Sequence, residues 1–314
     1  MLNRRHIRIK ILQTLYAFYQ SKGDNLNDVD KQFTFGIEKT YEMYIYLLVF
    51  LSELQLPAIE RIEAGKNKRL PSKEELHPNT RFVTNELLRK LVNSKVLKKE
   101  ASRLSITLDD NPELVRKFFK SLVEEEDYKE YMNSPERGYE RDAEFMFKLL
   151  RRHLVNFELL QDYFEEKSIF WNDDLDMVAA MVLKTLKSVG EDDTDIQLLG
   201  IWREDGDEKD FAYKLLHHTL LQATENEAFI KEGAQNWELD RIAVMDIILM
   251  KMALAEARYF DQIPLKVTLN EYIELAKYYS TDKSSGFING ILDQLFGKMK
   301  KDGRIVKTGR GLIE

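Results

Sequence analysis

Apolar residues recur at helical spacing along nearly the whole chain, and little in the sequence interrupts them. Near the start, Ile7, Ile11, Leu12, Leu15, Phe18 and Tyr19 fall on one stripe of a 3.6-residue period. Only 14 glycines and 6 prolines occur in 314 residues, too few turn formers for a fold of many short strands. The reading is an all-α protein, long enough for about two domains.

Arg4, Arg8 and Gln13 lie off the first stripe, so this helix is expected to dock and still show a basic edge. Gly23 is expected to end it. A second helix reads from about 28 to 54, stopping before Pro57. Residues 65–81 read as a loop, and shorter helices follow. The clearest start is Asn111-Pro112-Glu113, a cap residue, a first-turn proline and an acid. Residues 237–260 are apolar on more than one side, as in a central core helix. In 264–280, Thr268-x-x-Glu271 matches a capping box. The last amphipathic segment, 281–299, places Phe287, Ile291, Leu292 and Leu295 on one stripe, with Gly290 suited to a close helix crossing.

The second half carries an internal similarity. "FMFKLLRRHL" (Phe145 to Leu154) aligns with "FAYKLLHHTL" (Phe211 to Leu220) at an offset of 211 − 145 = 66. The same ungapped offset carries Trp171 onto Trp237, Asp174 onto Asp240, Val178 onto Val244 and Leu183 onto Leu249. Two copies are too few for a solenoid, so a duplicated helical hairpin is expected. Chance likeness between two amphipathic helices is the competing explanation.

Enzyme signatures are missing. There is no GxGxxG, P-loop, GxSxG or HExxH, and no cysteine for a disulfide or thiolate zinc site. Adjacent His217 and His218 cannot share a helix face, and "DGDEKD" lacks calcium-loop spacing. No cofactor or metal is expected. No apolar run reaches the ~20 residues that span a bilayer; Tyr44 to Leu51 ends at Ser52 and Glu53. Lys10 and Gln13 interrupt a would-be signal sequence, leaving an Arg-rich transit peptide as the alternative to a cytoplasmic setting.

The net charge is −7, yet its distribution is uneven. Arg4, Arg5, Arg8 and Lys10 precede the first acid, Asp24. The end of the chain carries Lys298, Lys300, Lys301, Arg304, Lys307 and Arg310. Basic ends on an acidic body fit a local phosphate-binding patch. Gln13, Tyr16, Phe287 and Asn289 are of the types that stack on bases or read their edges. The same residues also fit ordinary solvated helix faces.

Three stretches resemble the NusB family of transcription antitermination factors. "RRHIRIKILQTLYAFYQS" (Arg4 to Ser21) is similar to the family's Arg-Arg-x-x-Arg followed by Gln-x-Leu-Tyr. "IPLKVTLNEYIELAK" (Ile263 to Lys277) resembles its Pro-x-Lys-Val, Asn-Glu, Glu-Leu-Ala-Lys helix. "SSGFINGIL" (Ser284 to Leu292) is similar to its Ser-x-x-Phe-Val-Asn-Gly-Val-Leu. The resemblance implies NusB-like helical bundles at 1–55 and 208–314, with a large all-helical insertion at 56–207. It implies binding to a single-stranded boxA-type element of nascent ribosomal RNA, with the ribosomal protein NusE, inside an RNA polymerase antitermination complex. The RNA-facing set it implies is Arg4, Arg5, Arg8, Gln13, Tyr16, Ser284, Phe287 and Asn289, and the NusE-facing acid is Glu256. Lys283 and Gly286 depart from the charges common at their positions in the family. Two rivals are a protein-binding helical scaffold and an accessory of an rRNA-modifying enzyme, such as a cytosine methyltransferase. A methyltransferase itself requires a cysteine nucleophile that this chain lacks.

Overall fold

The computed structural model describes residues 2–21, 25–202, 206–234 and 242–313. Gly23, Trp237 and Asp240, on which parts of the sequence reading rest, lie outside them. Among the described residues the regular structure is helical and no strand occurs. In chain order the helices are α1 (Arg4–Gln20), α2 (Leu26–Glu53), α3 (Gln55–Lys66), α4 (Lys73–Leu76), α5 (Glu86–Asn93), α6 (Lys95–Arg103), α7 (Pro112–Leu122) and α8 (Glu126–Asn133). There follow α9 (Tyr139–Lys148), which continues as a π-helical turn (Leu149–Leu154), α10 (Glu158–Lys167) and α11 (Leu175–Ser188). The last are α12 (Asp207–Leu221), α13 (Ala223–Gly233), α14 (Val244–Tyr259), α15 (Leu265–Tyr279) and α16 (Ser284–Lys301), then a short 3-10 turn (Gly309–Leu312).

The chain forms two compact units, one of Met1–Gly36 with Trp202–Glu314, the other Ile37–Ile201. The first break therefore falls inside α2, at 36/37, where the sequence reading places it at 55/56. The reason is packing: α2 beyond Gly36 belongs to the aromatic core of the second unit. Tyr44 bonds Thr185, Tyr46 bonds Tyr163, and Phe50 meets the edge of Phe118. The stretch Leu26–Lys66 is long and apolar enough to cross a membrane, contrary to the sequence reading, but 61% of its most apolar window is buried inside the protein. That is how a core helix behaves.

Local chemistry explains several helix starts. Asn3 caps α1 by accepting from the His6 N–H at 3.0 Å, and Asn85 and Ser94 cap α5 and α6 in the same way. Pro112 opens α7 as expected, although Asn111 makes no side-chain capping bond. Pro57 sits in the first turn of α3, where its missing N–H costs nothing. The capping box expected at Thr268 is not one. Pro264 starts α15 four residues earlier, and Thr268 lies inside the helix with its hydroxyl on Glu256.

In the first unit α14 is the central helix: every residue from Ile248 to Ala257 is buried. It packs against α1, α12, α13, α15 and α16. The stripe on α1 is buried as read, with Ile7, Ile11, Leu12 and Leu15 fully inside.

Candidate nucleic-acid interface

α1 divides its basic residues between two environments. Arg4 and Arg5 are exposed, but Arg8 and Lys10 are not; Arg8 is 3% exposed. Arg8 reaches α14 and forms a bidentate pair with Glu256, at 2.7 and 2.8 Å. Glu256 is 0% exposed and also accepts from the Thr268 hydroxyl at 2.9 Å and the Tyr272 phenol at 3.1 Å. Four donors thus satisfy the carboxylate. Burial works against the Arg8 charge, and Glu256 more than restores it, so the guanidinium is held more firmly protonated than an ordinary arginine. The Tyr272 phenol, wholly buried beside Glu256, is pushed well above its usual range.

A second carboxylate carries this clamp outward. Glu271 on α15 accepts from Arg5 at 2.7 and 3.0 Å, and from Arg8 at 3.4 Å. Arg4 makes no ion pair among the described residues; it and Arg8 lie over the ring of Phe211, at 5.1 and 5.3 Å from its centre. Around these groups is an open cleft of about 590 Å³, lined by Arg4, Arg5, Arg8, the α14–α15 connection and Arg310 near the chain's end.

The other expected residues lie elsewhere. Gln13 is half-buried and Tyr16 is 38% exposed, further along α1, and neither lines the cleft. Ser284 is 2% exposed, with its hydroxyl on Asp246 at 2.8 Å; Ser280 bonds the same carboxylate at 2.6 Å. Phe287 is half-buried and Asn289 is exposed. Asp246 and Glu256 are ten positions apart on α14, about 15 Å at 1.5 Å per residue. The structure therefore does not gather the expected set into one pocket. It anchors α1 near one end of α14 and the start of α16 near the other.

Three expectations change. Arg8 and Glu256 are buried partners of each other, so neither presents its charge to RNA or to a partner protein in this conformation. Ser284 is an anchor for α16 and not a surface group. Gly290 serves no internal helix crossing, because a Cβ built there, or at Gly286, meets nothing within 4 Å. Both glycines face open space. Sequence reasoning missed Glu271, which it took for a cap, and Phe211, whose aromatic ring gave no signal of its cationic neighbours. Arg310 was visible only as one of many basic residues in the tail.

Comparison with known proteins agrees with the sequence resemblance. The model of the NusB family matches residues 179–296. The chain is 46% identical to the transcription antitermination protein NusB of Chloroherpeton thalassium over 106 residues, which is 34% of this chain and 50%, only about half, of that relative. It is 38% identical to the transcription antitermination protein NusB of Salinibacter ruber over 147 residues, 47% of this chain and 85% of that protein. A solved structure of T. maritima NusB is 22% identical, with a TM-score of 0.31, covering 50% of this chain and 95% of its own. With 85% of the Salinibacter protein matched at 38% identity, the chain belongs to the NusB family.

Proposed function

We propose that this protein is a cytoplasmic transcription antitermination factor that binds a boxA-type element of nascent ribosomal RNA. It acts with the ribosomal protein NusE in an RNA polymerase antitermination complex. The observation that carries the reading is the presentation of Arg4 and Arg5 at the head of α1 by a buried clamp. Arg8 spends its charge on Glu256, fixing the helix, while Arg4 keeps a guanidinium open to solvent with no carboxylate partner among the described residues. Such cations bind phosphates and fix register. Tyr16, Phe287 and Asn289 supply exposed or half-buried groups for bases further along. Two glycines on the open face of α16 support close approach by an external molecule, since each weakens the helix by about 1 kcal/mol relative to alanine and gains no internal packing.

The acidic body, at −7 overall, opposes RNA at long range, so affinity for RNA alone is modest and rises with NusE. The test is titration of boxA-type RNA with and without NusE at two salt concentrations. Binding falls as salt rises, and Arg4→Glu with Arg5→Glu abolishes it while the protein stays folded. Salt-independent binding, or binding untouched by those changes, rules the reading out. Arg8→Glu is unsuitable as a test because it places two carboxylates together in the core.

A further inference from the structure

After α16 the chain turns back, and its last residues are fastened to the α14–α15 connection. Gly303 adopts a left-handed φ of +69°, and the N–H groups of Arg304 and Ile305 close onto the Met299 carbonyl at 2.9 and 3.2 Å. Ile305 is buried. Lys307 Nζ donates to the Phe260 carbonyl at 2.8 Å. Thr308 is held three ways. Its N–H donates to the Asp261 carbonyl at 3.1 Å, its hydroxyl donates to the Asp261 carboxylate at 2.6 Å, and it accepts from Gln262 Nε2 at 2.9 Å. Two glycines flank Arg310. Gly309 has φ +49°, and a Cβ there would sit 2.7 Å from Gln262 Oε1. At Gly311 a Cβ would lie 1.8 Å from the Asp261 carbonyl oxygen, a distance no side chain tolerates. "TGRG" (Thr308 to Gly311) is thus a fitted strap, and it holds an exposed arginine on the wall of the basic cleft.

The guanidinium of Arg310 makes no hydrogen bond or ion pair among the described residues. In the same cleft the charge of Arg5 is balanced by Glu271 and that of Arg8 by Glu256. The uncompensated cations are Arg4 and Arg310. We propose that the strap 307–313 is a second RNA-binding element, in which Arg310 joins Arg4 to grip the phosphate backbone of the single strand. This rests on the RNA-binding reading above and extends the site from α1 to the end of the chain. The strap gives register and charge, and base recognition stays with α1 and α16.

For single strands each phosphate contact lowers the slope of log K against log salt by about 0.7, which amounts to about fivefold in affinity at 0.1 M salt relative to 1 M. The experiment measures boxA-type RNA affinity of the full chain with NusE across a salt series. Arg310→Gln is expected to weaken binding about fivefold at 0.1 M and to make the negative slope shallower by about 0.7. Gly311→Ala keeps the charge but displaces the strap, and is expected to lose as much. Lys301→Gln removes an equal charge outside the cleft and leaves the slope unchanged. Melting temperatures check that each variant folds, and Arg310 is exposed enough for that to hold. If Arg4→Gln weakens binding while Arg310→Gln does not, the strap is not part of the site although the RNA reading stands. A fall with Arg310→Gln but none with Gly311→Ala shows that the arginine acts without the docked strap, which overturns the fitted-strap proposal. If the unaltered chain shows no salt-dependent RNA binding, both fall together.

Discussion

The two similar segments, 66 positions apart, differ in what their last helices hold, and neither is the simple hairpin expected, since α10 interrupts one and α13 the other. Both first helices bury the same positions: Phe145, Met146, Leu149 and Leu150 in one, Phe211, Ala212, Leu215 and Leu216 in the other. Their last helices, α11 and α14, diverge. α14 carries Asp246 and Glu256, which anchor the start of α16 and the head of α1; at the matching positions α11 and its exit have Ala180 and Gly190. α11 ends at Ser188, whereas α14 runs to Tyr259, beyond the matching position, and that extra turn bears Glu256. Val178 is buried while Val244 is half-exposed. Trp237 and Asp240, the partners of Trp171 and Asp174, lie outside the described residues. Both segments bury acids. Asp142 and Asp174 in the first bond Tyr131 and Thr40, whereas Asp246 and Glu256 in the second anchor the start of α16 and the head of α1.

Breaking that difference at Glu256 has the largest expected effect. Glu256→Ala leaves Arg8 buried without its partner and Thr268 and Tyr272 without an acceptor. Removing one member of a buried pair costs roughly 3–5 kcal/mol, measurable by denaturant unfolding. A loss below about 1 kcal/mol, the value of an exposed pair, shows that the clamp does not hold α1. Asp246→Ala comes next. Two hydroxyls, of Ser280 and Ser284, lose their acceptor, at about 1–3 kcal/mol for buried groups left unpaired. Amide exchange is expected to speed at the start of α16 and not in α1; uniform loss throughout the unit contradicts separate anchoring.

Much of this was legible in sequence. The period of α1, the all-round apolar character of α14 and three ordered motifs gave the helical class and the family. What the sequence concealed has one physical cause: charged residues on a helix read as solvent-facing, and their partners are far away in the chain. Arg8 and Glu256 are 248 positions apart, so nothing local marks them as a pair. Ser284 read as a ligand for the same reason, its acceptor lying 38 positions earlier. Thr268 and Glu271 sit at capping-box spacing, but one helical turn also places both on a single face, where they serve Glu256 and Arg5. The domain break was hidden because α2 crosses it without a change of period.

Gly290→Ala sharpens the contrast in the opposite direction. Open space surrounds the position, so alanine stabilises the helix by about 0.5–1 kcal/mol. If an external surface approaches α16 closely, the same change weakens RNA binding by the NusE pair severalfold. A variant that is more stable and binds equally well shows that the glycine serves no partner.

The smallest effect is acid sensitivity through Glu271, which supports α1 beside α14. Burial pushes its carboxyl up, but hydrogen bonds from Arg5 and the charges of Arg8 and Arg5 push it down harder, and it titrates below its ordinary 4.5. The folded protein therefore holds this proton less tightly than the unfolded chain. Its contribution is complete above the unfolded value, near 4.5, and disappears as pH falls through the lower folded value. Because Arg5 is half-exposed, the pair contributes only about 0–1 kcal/mol at neutral pH. Glu271→Gln is expected to flatten the acid limb of the stability profile below pH 4.5 and to speed amide exchange in α1 and α15 while leaving α11 unchanged. If exchange in α11 quickens equally, α1 is not held separately through Glu271, and the two segments respond to acid as one.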